Sequence, residues 1–306
     1  MKTFFTSILF IFTIQLSSAQ NVIQELQDYI QSVREGSFAP VPQSLLSETE
    51  QAEELLNALK TYQADSNSVI RTRAYNIGKR LGQGHPVQAI RQQAINQQIK
   101  ALADADIGLR VKAINALTGF KNTDFTSNQE QRIINGLNAA MPHLEKYAML
   151  VGYMNNDAAI APLKQVEQQI SSGWTKFNIQ LALARRGDKQ ATTAVLNKMK
   201  TATINDDFIY DLSPLLVYTR NKEVFKFLED IIFSEEANCN SANPNRSVDI
   251  LCGYRLLEYM APAIEGSPLT VDEYGELEVT NYEQALQDFR DWLLQNPNYS
   301  LVENTY

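Results

Sequence analysis

The chain has 306 residues, 44% of them hydrophobic and 20% charged, with a formal net charge of −8. That length exceeds what one small core organises. The acidity disfavours unassisted binding to nucleic-acid phosphates or to an anionic membrane, and leaves cations, basic proteins and neutral glycans as partners.

The N-terminus reads as a leader. Lys2 precedes an apolar run from Phe4 to Leu16, and Ser17-Ser18-Ala19 supplies the small residues of a cleavage site. The pattern predicts a secretory signal peptide over 1–19, cut between Ala19 and Gln20. Its loss removes Lys2 and makes the chain one unit more negative. No later stretch is apolar enough to span a bilayer, so no stable membrane insertion is expected. Export leads to a secreted or periplasmic protein of a bacterium.

Helical periodicity dominates from Val22 onward. Val22, Leu26, Ile30 and Val33 share one face, and Gly36, Pro40 and Pro42 end that segment. Capping boxes are predicted at Ser47-x-x-Glu50, Ser127-x-x-Glu130 and Thr280-x-x-Glu283, each ahead of an apolar-periodic run. Two segments, starting at Asp65 and at Asp104, then spell nearly the same pattern. Asp65-Ser66-Asn67 leads to Ile70, Arg71, Arg73 and Ala74; Asp104-Ala105-Asp106 leads to Leu109, Arg110, Lys112 and Ala113. A repeat of that length predicts stacked helical units. Helices are expected over 65–82, 87–103, 104–120, 127–141, 142–154, 158–170, 174–185, 189–199, 208–218 and 222–233. Asn156-Asp157, Gly187-Asp188 and Arg220-Asn221 mark turns where Asn or Asp caps the next helix.

The last quarter departs from the pattern. Cys239 and Cys252 flank a segment rich in Asn and Ser. In an oxidising compartment the two are expected to join as a structural disulfide, worth about 2–3 kcal/mol. A helix is predicted near 249–260 and a final one over 281–295. Between them, residues 269–279 alternate around a Gly and predict a small β-hairpin. Its Asp272, Glu273, Glu276 and Glu278 read as a solvated acidic face, since their spacing fits no EF-hand loop.

The repeated segments resemble HEAT repeats, in particular the short HEAT-like units of bacterial proteins. The match is carried by Asp65, Asn67, Ile70, Arg71, Ala74, Ile77, Gly78, Leu81 and Gly82, and by Asp104, Asp106, Leu109, Arg110, Ala113, Ala116 and Leu117. A weaker third unit runs through Ile179, Ala182, Leu183 and Asp188. The resemblance implies an all-α fold, an α-solenoid of stacked antiparallel helix pairs. It also implies structural ion pairs along the stack for Asp65, Arg71, Asp104 and Arg110. The expected organisation is a signal peptide (1–19), N-terminal capping helices (20–62), HEAT-like repeats (63–233) and a C-terminal capping region holding the Cys loop and final helix (234–306).

Catalytic signatures do not stand out. His85 precedes Pro86 at a helix boundary, and His143 falls in a first helical turn. Neither has metal-ligand spacing, and no nucleophile elbow, phosphate loop or dinucleotide fingerprint occurs. Asp206 and Asp207 read as caps for a helix at Phe208. No catalytic, metal or cofactor-binding residue is assigned, and no cofactor is expected. The sequence therefore points to an exported binding or scaffold module for a protein or glycan partner. Partner-facing side chains would come from the second helices, among them Arg91, Gln92, Gln98, Lys164, Gln168 and Lys198. The alternative is an envelope-associated hydrolase or lyase whose carboxylates lie far apart in sequence.

Overall fold

The computed structural model describes residues 22–47, 50–241, 248–272 and 276–306. The expected signal peptide over Met1 to Ala19 lies outside these residues, as do Glu273 to Gly275 of the acidic hairpin. The described chain is all-α apart from one two-residue ladder and isolated bridges. It divides into two compact units, up to Asn135 and from Gly136.

The first unit holds α1 (22–34), α2 (Ser44–Ser47), α3 (Ala52–Tyr62), α4 (Ser68–Gly82), α5 (Gln88–Ala101), α6 (Ile107–Leu117) and α7 (Ser127–Asn135). The expected face of α1, Val22, Leu26, Ile30 and Val33, is buried. In α3 the spacing of Ala52, Leu55, Leu56 and Leu59 makes one stripe, and all four are buried. Each of those leucines contributes about 2 kcal/mol. Contacts link α3, α5 and α7 as one row, and α2, α4 and α6 as another. α4 and α5 meet closely at Gly82, where a Cβ would lie 2.2 Å from the Ala94 Cβ. Any side chain there would push the two helices apart.

The second unit holds α8 (Leu144–Tyr153), α9 (Ile160–Gln169), α10 (Gly173–Arg185), α11 (Lys189–Met199), α12 (Ser213–Tyr218), α13 (Lys222–Ile232), α14 (Gly253–Met260) and α15 (Tyr282–Gln295). A wide π turn, Phe208–Leu212, precedes α12. Pro214 has no N–H to close an ordinary turn there, and the Ser213 hydroxyl instead reaches the Phe208 carbonyl at 3.4 Å. α8 and α10 touch at Gly152, where a Cβ would sit 2.6 Å from that of Ala182. After α15 the chain returns in extended form. Leu301 bridges Ile264, and the Val302 N–H donates to the Ala263 carbonyl at 3.0 Å.

Several boundaries differ from expectation for local reasons. All three capping boxes are displaced. Ser47 ends α2, its Oγ donating to the Gln43 carbonyl at 2.9 Å. α7 is capped one residue early: Thr126 Oγ1 accepts from the Gln129 N–H at 3.3 Å, and Gln129 Oε1 accepts from the Thr126 N–H at 2.9 Å. α15 is capped by Asn281, whose Oδ1 accepts from the Glu283 and Gln284 N–H groups. Where two adjacent residues can both cap, the pattern leaves the register open by one. α7 stops at Asn135, ahead of Gly136, rather than at Met141. The segment at Asp249 is not helical. Asp249–Ile250 pairs antiparallel with Cys239–Asn240, and α14 starts only at Gly253. Within 269–279, among the described residues, Val271 bridges Leu277 antiparallel, the Glu278 N–H donates to the Thr270 carbonyl and the Asp272 N–H to the Glu276 carbonyl. The three turn caps at Asn156, Asp188 and Asn221 each accept the expected backbone N–H groups.

Candidate functional site

Three successive helices of the first unit begin with the same device. Asp65 Oδ1 accepts from the Asn67 N–H at 2.8 Å, His85 Nδ1 from the Val87 N–H at 3.1 Å, and Asp104 Oδ1 from the Asp106 N–H at 2.8 Å. Six residues later an Arg turns back to the loop. Arg71 Nη1 donates to the carbonyls of Asp65 and Ser66, Arg91 Nη1 to those of His85 and Pro86, and Arg110 Nε to that of Asp104. The repeat is thus also a half-repeat of about one helix, with His85 standing where its neighbours carry Asp.

The same arginines reach forward. Arg71 grips Asp104 with two bonds, at 2.8 and 2.7 Å, and Arg91 pairs with Asp124 at 2.6 Å. Asp65 pairs with Arg34, and Arg110 meets only the carbonyl of Asp104. The Arg71 fork, with help from the Asp106 N–H, holds the Asp104 carboxyl below the usual Asp range against the opposing effect of burial.

The second cation of the motif is free of this ladder. Arg73 of α4 and Lys112 of α6, which hold equivalent places in the two repeats, point into a groove of about 420 Å³ between the two helices. Asn76 and Asn115, equivalent in the same register, line its walls, and Lys79 adds a third positive charge. Tyr75, Leu109, Ala113 and Ala116 form an apolar floor. Gln98 is locked beneath by its bond to the Tyr75 carbonyl at 2.9 Å. Among the described residues no carboxylate lines the groove, and Arg73, Lys79 and Lys112 form no ion pair.

Of the second-helix residues expected to face a partner, Gln168 is exposed and lines a groove of the second unit, while several others are engaged within the fold. α5 is packed on both sides, so Ile90, Ala94, Ile95, Gln97, Gln98 and Ile99 are all buried. Arg91 is spent on Asp124, and the Gln92 carbonyl accepts from Gln129. Lys164 pairs with Asp188 at 2.5 Å, and Lys198 lies 4.1 Å over the Phe177 ring. The spacing that defines the repeat also relates Arg73 to Lys112 and Asn76 to Asn115, and was the available signal.

Two grooves in the second unit carry mostly paired charges, with Lys176 the exception in the first. One, between α9, α10 and α11, contains Lys164, Asp188 and Glu167. Glu167 accepts from Gln180 at 2.8 Å. The other lies between α13 and α15, where Glu229 accepts from Lys226 and from the Tyr299 hydroxyl, each at 2.8 Å.

The strongest electrostatic feature of the second unit is a clasp on residues 302–306. The Arg185 guanidinium sits between the Tyr153 and Tyr218 rings, 4.9 and 4.8 Å from their centroids. It donates to the carbonyls of Tyr218, Glu303 and Thr305. Arg220, held at φ +46°, donates to the Val302 carbonyl at 2.8 Å and to the main-chain oxygen of Tyr306 at 3.3 Å. Tyr306 packs edge-on to Tyr153. Burial and the adjacent Arg185 charge pull Arg220 down to about 10. Burial lifts the phenols of Tyr218 and Tyr306 well above the ordinary tyrosine range. The two guanidiniums spend their donors mainly on main-chain oxygens, of 302–306 and of the end of α12, so the clasp fastens the two together.

Other candidates resolve as structural. Cys239 and Cys252 form a disulfide that closes the short ladder. Asp206 does not cap: Asn205 Oδ1 accepts the Phe208 N–H at 3.0 Å, while Asp206 accepts the Asn240 N–H at 2.9 Å and faces Arg255. His143 precedes α8 in the left-handed region, with Glu145 3.7 Å away. In the acidic hairpin Asp272 and Glu278 bond within the turn. Among the described residues no group of three or more His, Cys, Asp or Glu is placed to hold a metal ion, and no helix is long and apolar enough to cross a membrane.

No family model matches the chain, and no curated protein matches it in sequence.

Proposed function

We propose that this chain is an exported helical-repeat binding module, HEAT-like in its first unit, whose partner is a protein. The observation that carries the proposal is the α4–α6 groove. It presents motif-related cations and amides twice over, at the spacing of the repeat, on side chains that form no ion pair among the described residues. Repeat modules recognise partners through such serial surfaces. The disulfide suits an oxidising compartment, in line with the leader over Met1 to Ala19. The pairing of Glu167, Asp188 and Glu229 with amides, cations or a phenol favours binding over carboxylate catalysis at the second unit's grooves.

The test is site-specific photocrosslinking in the source cell's envelope fraction. A crosslinker at Asn76 should give a discrete adduct with one protein, and the same group at exposed Lys60 should not. Equal, diffuse labelling at both positions, or none, sinks the proposal.

A further inference from the structure

We infer that the α4–α6 groove takes an acidic polypeptide segment in extended form, with carboxylates about three residues apart. This deepens the binding-module reading and rests on it. The groove reverses the sign of the whole molecule: a chain of net charge −8 places Arg73, Lys79 and Lys112 together with no carboxylate among the described lining residues. Lys112 is exposed and Arg73 and Lys79 are half-buried, and with no ion pair among the described residues they are available to a ligand of opposite charge.

The spacing selects the ligand's form. Packed helices lie about 8–10 Å apart, and an extended strand rises about 3.3 Å per residue. A strand crossing α4 and α6 would thus bring every third residue over an equivalent cation. Asn76 and Asn115 each offer a donor and an acceptor, which matches the alternating N–H and C=O groups of a peptide backbone. A polyuronate carries the same charge, but the aromatic residue here, Tyr75, is buried at 8% exposure and presents no open ring face for a sugar to stack on.

Fluorescence anisotropy on the mature chain tests this, with three labelled probes: a Glu-Gly-Ser repeat peptide, its Gln-Gly-Ser counterpart, and polygalacturonate. The Glu peptide should bind at low salt and weaken as salt rises. Lys112→Glu, and Arg73→Glu with it, should each weaken binding by about tenfold or more. Asn76→Ala with Asn115→Ala should weaken the Glu and Gln peptides alike. Circular dichroism and the melting temperature of the variants show whether the fold persists; where a reversal variant is unfolded, Lys112→Gln replaces it. Equal affinity for Glu and Gln peptides overturns the inference, as does tighter, Lys112-dependent binding of polygalacturonate. An Asn76 adduct with a partner lacking acidic segments overturns the acidic ligand while leaving the binding module standing. The absence of both adduct and peptide binding overturns the two together.

Discussion

The first unit leaves three cations open in the α4–α6 groove, whereas the second encloses Arg185 and Arg220 against its own chain. In both places the cations form no ion pair with an acidic side chain among the described residues; the enclosed ones bond main-chain oxygens. The outcome differs because of water. A solvated guanidinium needs no internal partner, while an enclosed one must find acceptors or destabilise the fold. The second unit meets that need with main-chain oxygens and tyrosine faces. Cationic side chains are therefore left without an ion pair in one unit and serve as a fastening in the other, and exposure decides which.

The largest effect should come from the fastening. Arg185→Ala strips a donor from the Tyr218, Glu303 and Thr305 carbonyls and opens a space between two rings. A loss of about 3–5 kcal/mol is expected in chemical denaturation, with faster amide exchange across 302–306. A loss below about 1 kcal/mol would erase the contrast between the units. Next comes the disulfide. Cys239→Ser with Cys252→Ser should cost about 2–3 kcal/mol and leave the helical circular dichroism largely intact.

Asp104→Ala should cost about 2 kcal/mol, because it leaves the Arg71 fork without its carboxylate. The sign of its pH dependence follows from the lowered carboxyl. The stabilisation is complete above the ordinary Asp range, about pH 4, and is lost as the pH falls through the lower folded-state value. Asp104→Asn should flatten that acid limb in a urea-melt series taken at falling pH. His85→Asn should lose less than His85→Leu, since an amide oxygen can accept the Val87 N–H and leucine cannot, and His85→Leu should lose about 1 kcal/mol or more. Smallest of all, Arg73→Glu with Lys112→Glu should move stability by about 0.5 kcal/mol or less. A larger loss would mean that the groove cations hold the fold after all.

Much of the architecture was legible because apolar periodicity and Asx turns are local. The faces of α1 and α3, the caps at Asn156, Asp188 and Asn221, and the Cys239–Cys252 pair all follow from neighbours in sequence. What escaped was what depends on distant chain. Gln98, expected on the partner-facing side, is buried and donates to the Tyr75 carbonyl, beside Gln97, buried on the Leu56 carbonyl. Arg185 and Arg220 look like ordinary helix-end charges until the final residues fold over them. The groove was half visible: its second cation was part of the repeated motif, but which row of helices would stay uncovered was not.

The arginine ladder has a consequence for how such a chain can change length. Arg71 holds both the loop just before its own helix and the Asp104 carboxylate in the loop after the next helix, and Arg91 likewise holds its own loop and Asp124. Excising one whole repeat, Asp65 to Ala103, would bring Asp104 to the place where Asp65 meets Arg34, whereas duplicating it would put His85, not a carboxylate, opposite the first copy's Arg91. A change by a single helix would carry every downstream helix into the opposite row and turn its open face inward. A change by helix pairs therefore keeps the alternation of the two rows in the first unit, which a change by one helix would break.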